Sequence, residues 1–510
     1  MRSARWPIGR DRLLFGLPIV LYLLARLPSL LSLPLFIDEA VYLLRAQHFP
    51  AAVGASIGGG KLLQELVLAL LAQLPYEPLL SSRLFSVVCG LGTVLILPLI
   101  GRALDQRAAG ILAAVLYAGA PLAVLHDRLG LSDSLLTCAS ASLLLASISF
   151  ARSTQVGRSQ AVAIGIVIDL AMLAKFSGVF LCYVPVLVVL ALTDSWAEAR
   201  RRLLPLRSAA IVVLACLAAL LLAKYGIDEA SKAGVGSLGA RLAQMSQYTW
   251  TLAGWLIAYL PAPLLIPPLL ALALRRHIRA DSWRILGLML ACGLALHAIF
   301  VLLGNTLYPR YVMPAWPALL IACAVGAIEL WRIGGGLRWL ARTLCVAAIG
   351  AALAWDVLFV VRLQRNPTDT PMVPLDRWQY LEAWTSGYTI PEILDTLRRM
   401  AVEQNGILLV NHYQPRLIHL APEIYLSNDP LVVQQSLNLQ LREAPAMLRQ
   451  MAVLRPAYLL LDEEEQQAFD LEGRVPNIRL LRVFENPLRT MRFYLYELPP
   501  LPIASSSVIQ

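Results

Sequence analysis

The chain has 510 residues and a formal net charge of +10, and 58% of its residues are hydrophobic while only 15% are charged. Soluble globular domains carry about 25% charged residues, so this composition excludes a soluble globular protein. Apolar runs of roughly 20 residues, each long enough to cross about 30 Å of hydrocarbon, recur as far as Val361. The sequence therefore predicts a mainly α-helical, polytopic membrane protein.

The basic residues do not form one patch. Arginines occur in short clusters between the apolar runs, which is typical of a membrane topology signal rather than of a nucleic-acid-binding surface, so we expect no nucleic-acid partner. All seven cysteines lie inside apolar runs, which favours buried thiols and offers neither a disulfide framework nor a CxxC metal site. The first apolar run lacks a small-residue cleavage site and is interpreted as an uncleaved first span.

About eleven apolar runs are predicted to span the membrane, at roughly 13–33, 83–101, 108–125, 133–150, 160–174, 176–193, 209–223, 252–274, 285–303, 311–330 and 343–361. Connections with two or more arginines alternate with connections that have at most one. The first group comprises Arg2–Arg12, Arg102–Arg107, Arg152–Arg158, Arg200–Arg207, Arg275–Arg284 and Arg332–Arg342. The positive-inside rule places this group in the cytoplasm. The N-terminus is then cytoplasmic, and an odd number of spans puts the C-terminal region outside, as expected for a multi-pass protein of the inner (plasma) membrane.

Two polar-flanked segments are not predicted to span. The run from Lys61 to Leu74 is short and amphipathic, follows three glycines and precedes Pro75, so it is predicted to be a helix in the outer membrane interface. Residues 224–250 are polar and interrupted by glycine, which predicts a second outer loop with a short helix. We find no internal repeat with matching broken helices, and this weighs against common transporter architectures.

The composition changes after Val361, so residues 1–361 are predicted to be the membrane domain. Residues 362–378 have the composition of a linker, residues 379–500 are predicted to form an extracytoplasmic α/β domain, and residues 501–510 a disordered tail. In the α/β domain, Pro391 opens a predicted helix that runs to about Gln404. Strands are predicted at Ile407–Val410, Ala457–Leu461, Ile478–Phe484 and Arg492–Leu498, with a helical stretch around Val432–Leu454.

Charged residues cluster in the predicted outer connections. Asp38 and Glu39 follow the first span, where two adjacent carboxylates either have a chemical task or cap an interfacial helix. Asp133 could equally cap the fourth span, and Lys175 could extend its amine to the interface. Arg310 opposes the positive-inside bias and is a candidate ligand for an anion. Carboxylates near cations suit a reaction in which a carboxylate activates a nucleophile while cations hold a negatively charged leaving group.

Several motifs in order resemble the polyprenyl-phosphate-dependent C-type glycosyltransferases, in particular the protein O-mannosyltransferases and the lipid A aminoarabinose transferases of bacteria. They are Asp38–Tyr42, Lys61 with the helix after it, Ser82–Ser86, His126–Thr137, Leu173–Gly178 and Pro309–Pro314, and the segment Gln379–Tyr388 is similar to one that follows the membrane part in bacterial relatives. The resemblance covers most of residues 10–365. Leu62 and Leu63 stand where the lipid A branch has two prolines, so the chain departs from that branch directly after Lys61.

The resemblance implies a C-type glycosyltransferase fold and inverting transfer of a sugar from a polyprenyl-phosphate carrier to an acceptor hydroxyl at the outer face of the membrane. It implies that Asp38 is the general base and Glu39 a supporting acid, since a partly desolvated carboxylate is a better base. Further implied roles are binding of the donor phosphate by Lys61, Arg128, Lys175 and Arg310, and binding of substrate by Tyr42, His126, Asp133 and Tyr311. The implied partners are membrane lipid, the lipid-linked sugar, and a glycan, lipid or protein acceptor.

Two other functions are compatible with the sequence. A transporter or flippase of lipid-linked glycans would share the spans, and Asp169 is the candidate for its intramembrane charge. The C-terminal domain could instead be the working part with the spans as an anchor, although eleven spans exceed what anchoring needs. No cofactor and no compact set of metal ligands is visible, and a divalent metal is left open.

Overall fold

The structure, a computed structural model, describes residues 10–225, 238–303, 307–412, 416–437, 456–469, 471 and 478–498. The chain divides into two compact units. The first unit combines Met1–Ser32 with Phe49–Val373, and the second combines Leu33–His48 with Pro374–Gln510.

Helices account for the described part of the first unit. In chain order, and including α2 of the second unit, they are α1 Arg10–Arg26, α2 Ile37–Gln47, α3 Val53–Gly58, α4 Leu62–Leu71, α5 Pro78–Ala103, α6 Arg107–Gly119, α7 Pro121–His126, α8 Ser132–Arg152, α9 Arg158–Ala174, α10 Tyr183–Leu192, α11 Trp196–Leu203, α12 Leu206–Tyr225, α13 Leu238–Tyr259, α14 Ile266–Ala273, α15 Ala280–Leu303, α16 Trp316–Arg332 and α17 Arg338–Arg365. Short 3₁₀ segments include Phe176–Cys182 before α10 and Pro309–Ala315 before α16.

Long apolar helices confirm a multi-pass membrane protein. Within the described ranges, six helical segments are long and apolar enough to cross a membrane, or seven if one bent pair counts as a single span. The predicted count of eleven is not confirmed, because several predicted spans correspond to helices too short for this test. For example, Pro121 opens α7 directly after α6 has ended, which divides the predicted span 108–125.

The predicted continuous span at 252–274 is wrong. Helix α13 already begins at Leu238, inside the segment predicted to be a loop, and ends at Tyr259; the helical segment that begins at Ala262 is bent by 102° relative to it. Pro261 and Pro263 lie at the bend. Proline cannot donate a backbone hydrogen bond and clashes with the preceding turn, which explains the break. Residues 226–237 of the predicted loop are outside the described part of the chain.

Small residues let the helices of the first unit approach closely. A Cβ atom on Gly101 of α5 would lie 2.5 Å from the Cα atom of Gly110 in α6, and one on Gly326 of α16 would lie 2.7 Å from the backbone of Pro268 in α14. In lipid the hydrophobic effect does not drive helices together, so van der Waals packing between closely spaced backbones stabilises their association. Substituting these glycines would force α5 from α6 and α14 from α16.

The second unit contains a mixed five-stranded sheet. Its strands are β1 Ile407–His412, β2 Val432–Leu437, β3 Ala457–Asp462, β4 Arg479–Glu485 and β5 Arg492–Leu498, in the order β2-β1-β3-β5-β4. The first three strands are parallel, and β5 pairs antiparallel with both β3 and β4. The helices of this unit are α2, α18 Pro374–Arg377, α19 Ile390–Glu403, α20 Leu417–Leu426 and α21 Glu463–Phe469, with a π-helical turn at Trp378–Glu382.

The sheet confirms all four predicted strands and corrects one predicted helix. Residues Val432–Leu437 form a strand beside β1 instead of the start of the predicted helix, and residues 438–454 lie outside the described part of the chain. Tertiary pairing with β1 decides the conformation of this short run, whose own sequence preference is weak. Val410, Leu459 and Tyr496 lie in the apolar core of the sheet.

The segment Leu33–His48 groups with the second unit although it lies in the first tenth of the chain. In this segment α2 packs against α20, and Gln47 donates a hydrogen bond to the carbonyl oxygen of Ile424 (3.3 Å). The division of the sequence at residue 361 did not anticipate this grouping. Helix α17 also continues to Arg365, four residues into the predicted linker.

Candidate active site

Three of the predicted site residues meet around one carboxylate in the first unit. The amine of Lys175 lies 2.6 Å from Oδ1 of Asp133, and Nε of Arg310 lies 3.9 Å from Oδ2 of the same side chain. All three side chains are buried, with 2 to 9% of their surface exposed. A buried charge is tolerated only when it is paired and hydrogen-bonded, so these residues form one electrostatic unit.

The ends of three helical segments supply these residues. Asp133 lies in the first turn of α8, where a carboxylate interacts favourably with the helix dipole. Lys175 is the residue that ends α9 in an extended conformation, between α9 and the 3₁₀ segment that follows. Arg310 lies in the first turn of the 3₁₀ segment before α16. Thus Asp133 lies at the N-terminal end of a helix and pairs with two cations.

Aromatic rings cover the two cations. The Lys175 amine lies 4.0 Å from the centroid of the Tyr311 ring, and the Arg310 guanidinium lies 4.7 Å from the centroid of the Tyr308 ring. The two tyrosine rings themselves meet edge to face, with 5.4 Å between centroids. Cation–π contacts of this kind orient a cation without neutralising its charge, which leaves both groups able to interact with an anion.

Lys61 is the second lysine of this region. The amide of Phe176, next to Lys175, donates a hydrogen bond to the carbonyl oxygen of Gly60, next to Lys61 (3.1 Å). Gly60 has a φ of +66°, and a Cβ atom there would lie 2.9 Å from the Cβ of Phe176, so glycine is required at this contact. Burial lowers the pKa of Lys175, Asp133 partly opposes this effect, and the nearby charge of Lys61 adds to the lowering.

His126 is buried beside this group. Its Nδ1 atom lies 2.9 Å from the carbonyl oxygen of Leu122 in the same helix. Burial lowers the pKa of His126 to about 4, an effect that Asp133 only partly offsets. The imidazole is therefore neutral near pH 7, and at that pH it can take part in hydrogen bonds but adds no charge to the site.

The neighbouring Asp127 forms a separate buried network that the sequence did not predict. Its Oδ1 atom accepts a hydrogen bond from the hydroxyl of Ser134 (2.8 Å), and its Oδ2 atom accepts one from Tyr22 (3.2 Å) and lies 3.4 Å from the Arg26 guanidinium. Arg26 also donates to the carbonyl oxygens of Tyr117 and Ala118 at the end of α6. The network joins α1 and α6 to the first turn of α8, which carries Asp133.

Removal of the Asp127 carboxylate should destabilise the protein strongly. Asp127→Ala would leave the fully buried Arg26 without its carboxylate partner, and breaking a buried ion pair in this way costs about 3–5 kcal/mol. Thermal unfolding of the purified protein in detergent measures the effect. Asp194→Ala is the matched control, because the Asp194–Arg284 pair is largely exposed and should matter little. Equal unfolding temperatures for the two variants would contradict this interpretation.

Arg128 does not join Asp133. It donates to the carbonyl oxygen of Ser29 and to the hydroxyl of Ser32 (3.3 Å), in the segment that follows α1. Its Nε and Nη1 atoms are buried without a hydrogen-bond partner among the described residues. Burial, with Arg83 and Arg26 nearby, lowers the pKa of Arg128 to about 10. Arg128 thus contacts the segment after α1, whereas Lys175 and Arg310 pair with Asp133.

The two predicted catalytic carboxylates lie on α2 in the second unit. Glu39 is buried, and its carboxylate accepts a hydrogen bond from the backbone amide of Phe36 (3.0 Å), so it caps the start of the helix. Asp38 lies in the first turn and is less buried than Glu39, while Tyr42 follows one turn later and is buried. Of the two carboxylates, Glu39 therefore has a structural task.

The described ranges contain no group of three or more His, Cys, Asp or Glu side chains that could hold a metal ion. An apolar pocket lies beside the two lysine-bearing segments; it is lined by Ile57, Gly60, Leu62, Met172, Leu173, Phe176, Leu220 and Leu221. Charged and apolar surfaces thus lie next to each other in the first unit.

Known proteins share this fold and part of this sequence. Residues 62–222 match the family described as dolichyl-phosphate-mannose-protein mannosyltransferase. The structure is similar to ArnT from Cupriavidus metallidurans, with 15% identity over 96% of this chain and 97% of that one and a TM-score of 0.57 in the apo state. For the same protein bound to undecaprenyl phosphate, the identity is 16%, the coverage 98% and 99%, and the TM-score 0.55.

A third similar structure is that of the arabinofuranosyltransferase AftD from Mycobacteria, with 18% identity, 96% of this chain and 40% of that chain covered, and a TM-score of 0.50. No curated protein sequence matches the chain. The fold is that of the C-type glycosyltransferases, as the sequence motifs predicted. Residues 62–222 match the protein mannosyltransferase family, and the chain as a whole shares the fold of ArnT.

Proposed function

We propose that the protein transfers a sugar from a polyprenyl-phosphate carrier to an acceptor hydroxyl, with inversion at the anomeric carbon. The observation that carries this proposal is the buried group of Asp133, Lys175 and Arg310, in which two cations share one carboxylate. Preorganised cations in a buried site stabilise a developing negative charge far better than water does. A phosphate that departs with the electrons of the broken bond develops such a negative charge.

The donor phosphate is held by Lys175 and Arg310, with Lys61 as a third cation. Lys61 enters this group because Gly60 and Phe176 bring its backbone next to that of Lys175. The apolar pocket beside these lysines is the proposed point of contact for the prenyl chain. In support, a protein of the same fold, ArnT from Cupriavidus metallidurans, has been solved with undecaprenyl phosphate bound. Tyr311, Asp133 and the neutral His126 are the proposed contacts to the donor sugar.

Asp38 is the proposed general base. Its carboxylate removes the proton of the acceptor hydroxyl, the acceptor oxygen forms a bond to the anomeric carbon, and the bond between that carbon and the phosphate oxygen breaks with both electrons leaving on the phosphate. Attack from the side opposite to the phosphate inverts the configuration. No acid catalyst is needed, because the phosphate leaves as a charged group. Glu39 supports Asp38 by capping the helix that carries it.

The proposed orientation follows from the arginine clusters. The N-terminus lies in the cytoplasm, the reaction takes place at the outer face of the inner membrane, and the sheet-containing unit lies outside. Positive charge in the alternate connections supports this orientation. The acceptor is a glycan, lipid or protein available at that face.

One observation favours the alternative of a transporter. The bent pair formed by α13 and the segment from Ala262 to Ala273 resembles a discontinuous transmembrane helix, and transporter sites are often built from such helices. Asp169 in α9 is a partly buried carboxylate whose Oδ1 atom has no hydrogen-bond partner among the described residues. However, the bent pair has no counterpart within the described ranges, whereas repeat-based transporters have matching pairs.

The test uses purified protein in lipid nanodiscs with a panel of polyprenyl-phosphate sugars and candidate acceptors. Transfer is expected from at least one donor, with release of polyprenyl phosphate and an inverted anomeric configuration measured by NMR. Retention of configuration would overturn the proposed mechanism. In proteoliposomes, movement of a lipid-linked sugar between leaflets with no transfer to any acceptor would instead establish the transporter.

A further inference from the structure

The chain that leads into α2 pairs with a segment from the far end of the sequence. The amide of Ile37 donates to the carbonyl oxygen of Thr385 (3.1 Å), and the amide of Gly387 donates to the carbonyl oxygen of Leu35 (2.8 Å). These bonds form a short antiparallel bridge centred on Phe36 and Ser386. The backbone is thus fixed immediately before the first turn of α2, which carries Asp38.

Side chains reinforce the bridge. The ring of Phe36 meets the ring of Tyr380 edge to face, with 4.8 Å between centroids. The hydroxyl of Thr385 donates to the carbonyl oxygen of Gln379 (2.7 Å), and that of Ser386 donates to the carbonyl oxygen of Tyr380 (2.8 Å). Residues 379–387, which we call the clasp, therefore hold their own shape through internal hydrogen bonds as well as holding residues 35–37.

At Gly387 the clasp lies in close contact with Leu35. A Cβ atom there would lie 2.7 Å from the carbonyl oxygen of Leu35 and 3.1 Å from its Cβ atom. Contacts under 3.0 Å between a Cβ atom and a backbone atom do not occur without movement, so any larger residue must push the two strands of the bridge apart. The clasp fits residues 35–37 only because position 387 is glycine.

We propose that the clasp is a positioning element for the catalytic base, acting through Asp38. This inference rests on the proposed function. Asp38 is the second residue of α2 and lies one residue beyond the bridge, so a shift of the bridge moves its carboxylate. A displacement of about 1 Å from the productive geometry costs roughly 10²-fold in rate.

Gly387→Ala tests the inference. We expect kcat for sugar transfer to fall by roughly 10- to 100-fold, with the KM for the lipid-linked donor unchanged because the phosphate-binding residues are untouched. The matched control is Gly58→Ala in α3, where a Cβ atom would meet nothing within 4 Å; it should retain wild-type kcat. Tyr380→Leu is a milder variant that removes the ring contact with Phe36 and keeps the backbone bridge, and a smaller loss of kcat is expected.

A double variant separates positioning from general damage to the fold. If the clasp acts through Asp38, Gly387→Ala should lower the residual rate of the Asp38→Asn protein no further, because interacting residues give non-additive effects. A further fall in that background, or a rise in donor KM with kcat unchanged, would overturn the inference. So would wild-type kcat in both Gly387→Ala and Tyr380→Leu while Asp38→Asn is inactive. A wild-type protein that transfers no sugar would overturn the proposed function itself, and this inference with it.

Discussion

Asp38→Asn should lower the rate of sugar transfer by roughly 10²- to 10⁴-fold, which is the usual contribution of a general base. Asparagine has nearly the same shape as aspartate but cannot accept the acceptor's proton at neutral pH. Glu39 still caps the start of α2 in this variant, so folding and membrane insertion should be retained. Release of polyprenyl phosphate from the donor, measured under saturating donor and acceptor, gives the change in kcat.

The control for this experiment is a carboxylate of the same unit that has no proposed role. Asp395 lies on α19, its side chain is 71% exposed, and it pairs only loosely with Arg398 (3.4 Å). Asp395→Asn should therefore leave the rate unchanged. If Asp38→Asn remained as active as Asp395→Asn, Asp38 could not be the base, and the proposed mechanism would have to be abandoned.

The second large effect is expected at Lys175. Lys175→Met keeps much of the length and the apolar stem of the side chain but removes the ammonium that lies 2.6 Å from Asp133. With one phosphate-binding cation lost, the KM for the donor should rise roughly 10- to 100-fold, equivalent to about 1.4–2.8 kcal/mol of binding free energy. Initial rates over a range of donor concentrations measure this change.

Arg152→Met provides the comparison for Lys175→Met. Arg152 also pairs with an aspartate, Asp105, at 2.5 Å, but this pair is largely exposed, and exposed pairs contribute little. Donor KM should therefore stay at the wild-type value in Arg152→Met. An unchanged donor KM in Lys175→Met would show that Lys175 serves only as the structural partner of Asp133.

The sequence predicted which charged residues lie in the same set of connections, but not which of them would meet. Charge alternation assigns a side of the membrane to each connection and contains no information on how the helices are arranged around each other. The grouping of Lys175 and Arg310 on Asp133, and the placement of Arg128 against Ser29, depend on helix packing between distant parts of the chain. Span order alone could not separate these cations.

The sequence analysis predicted no role for Asp127, although the sequence contained an indication of one. Arg26 lies within the predicted first span, and a guanidinium there needs a buried carboxylate or several carbonyl partners. In the structure Arg26 lies beside Asp127 and donates to the carbonyl oxygen of Tyr117 near the end of α6. Asp127 is one of the carboxylates that lie next to a predicted span, so it could have been predicted as a partner of Arg26. By contrast, no sequence signal marked Val432–Leu437 as a strand, since its pairing with β1 is purely tertiary.

The pairing of Phe36 with Ser386 also bears on how the protein is made. Asp38 is synthesised early, about 350 residues before the segment that fixes its backbone. At the usual rate of about 5–20 residues per second, tens of seconds separate the two events. The growing chain contains the proposed base and all the proposed phosphate-binding residues only once Arg310 has been made, and at that point it still lacks the clasp. If the clasp positions Asp38 as proposed, the order of synthesis delays catalytic competence until the last quarter of the chain has left the ribosome and folded.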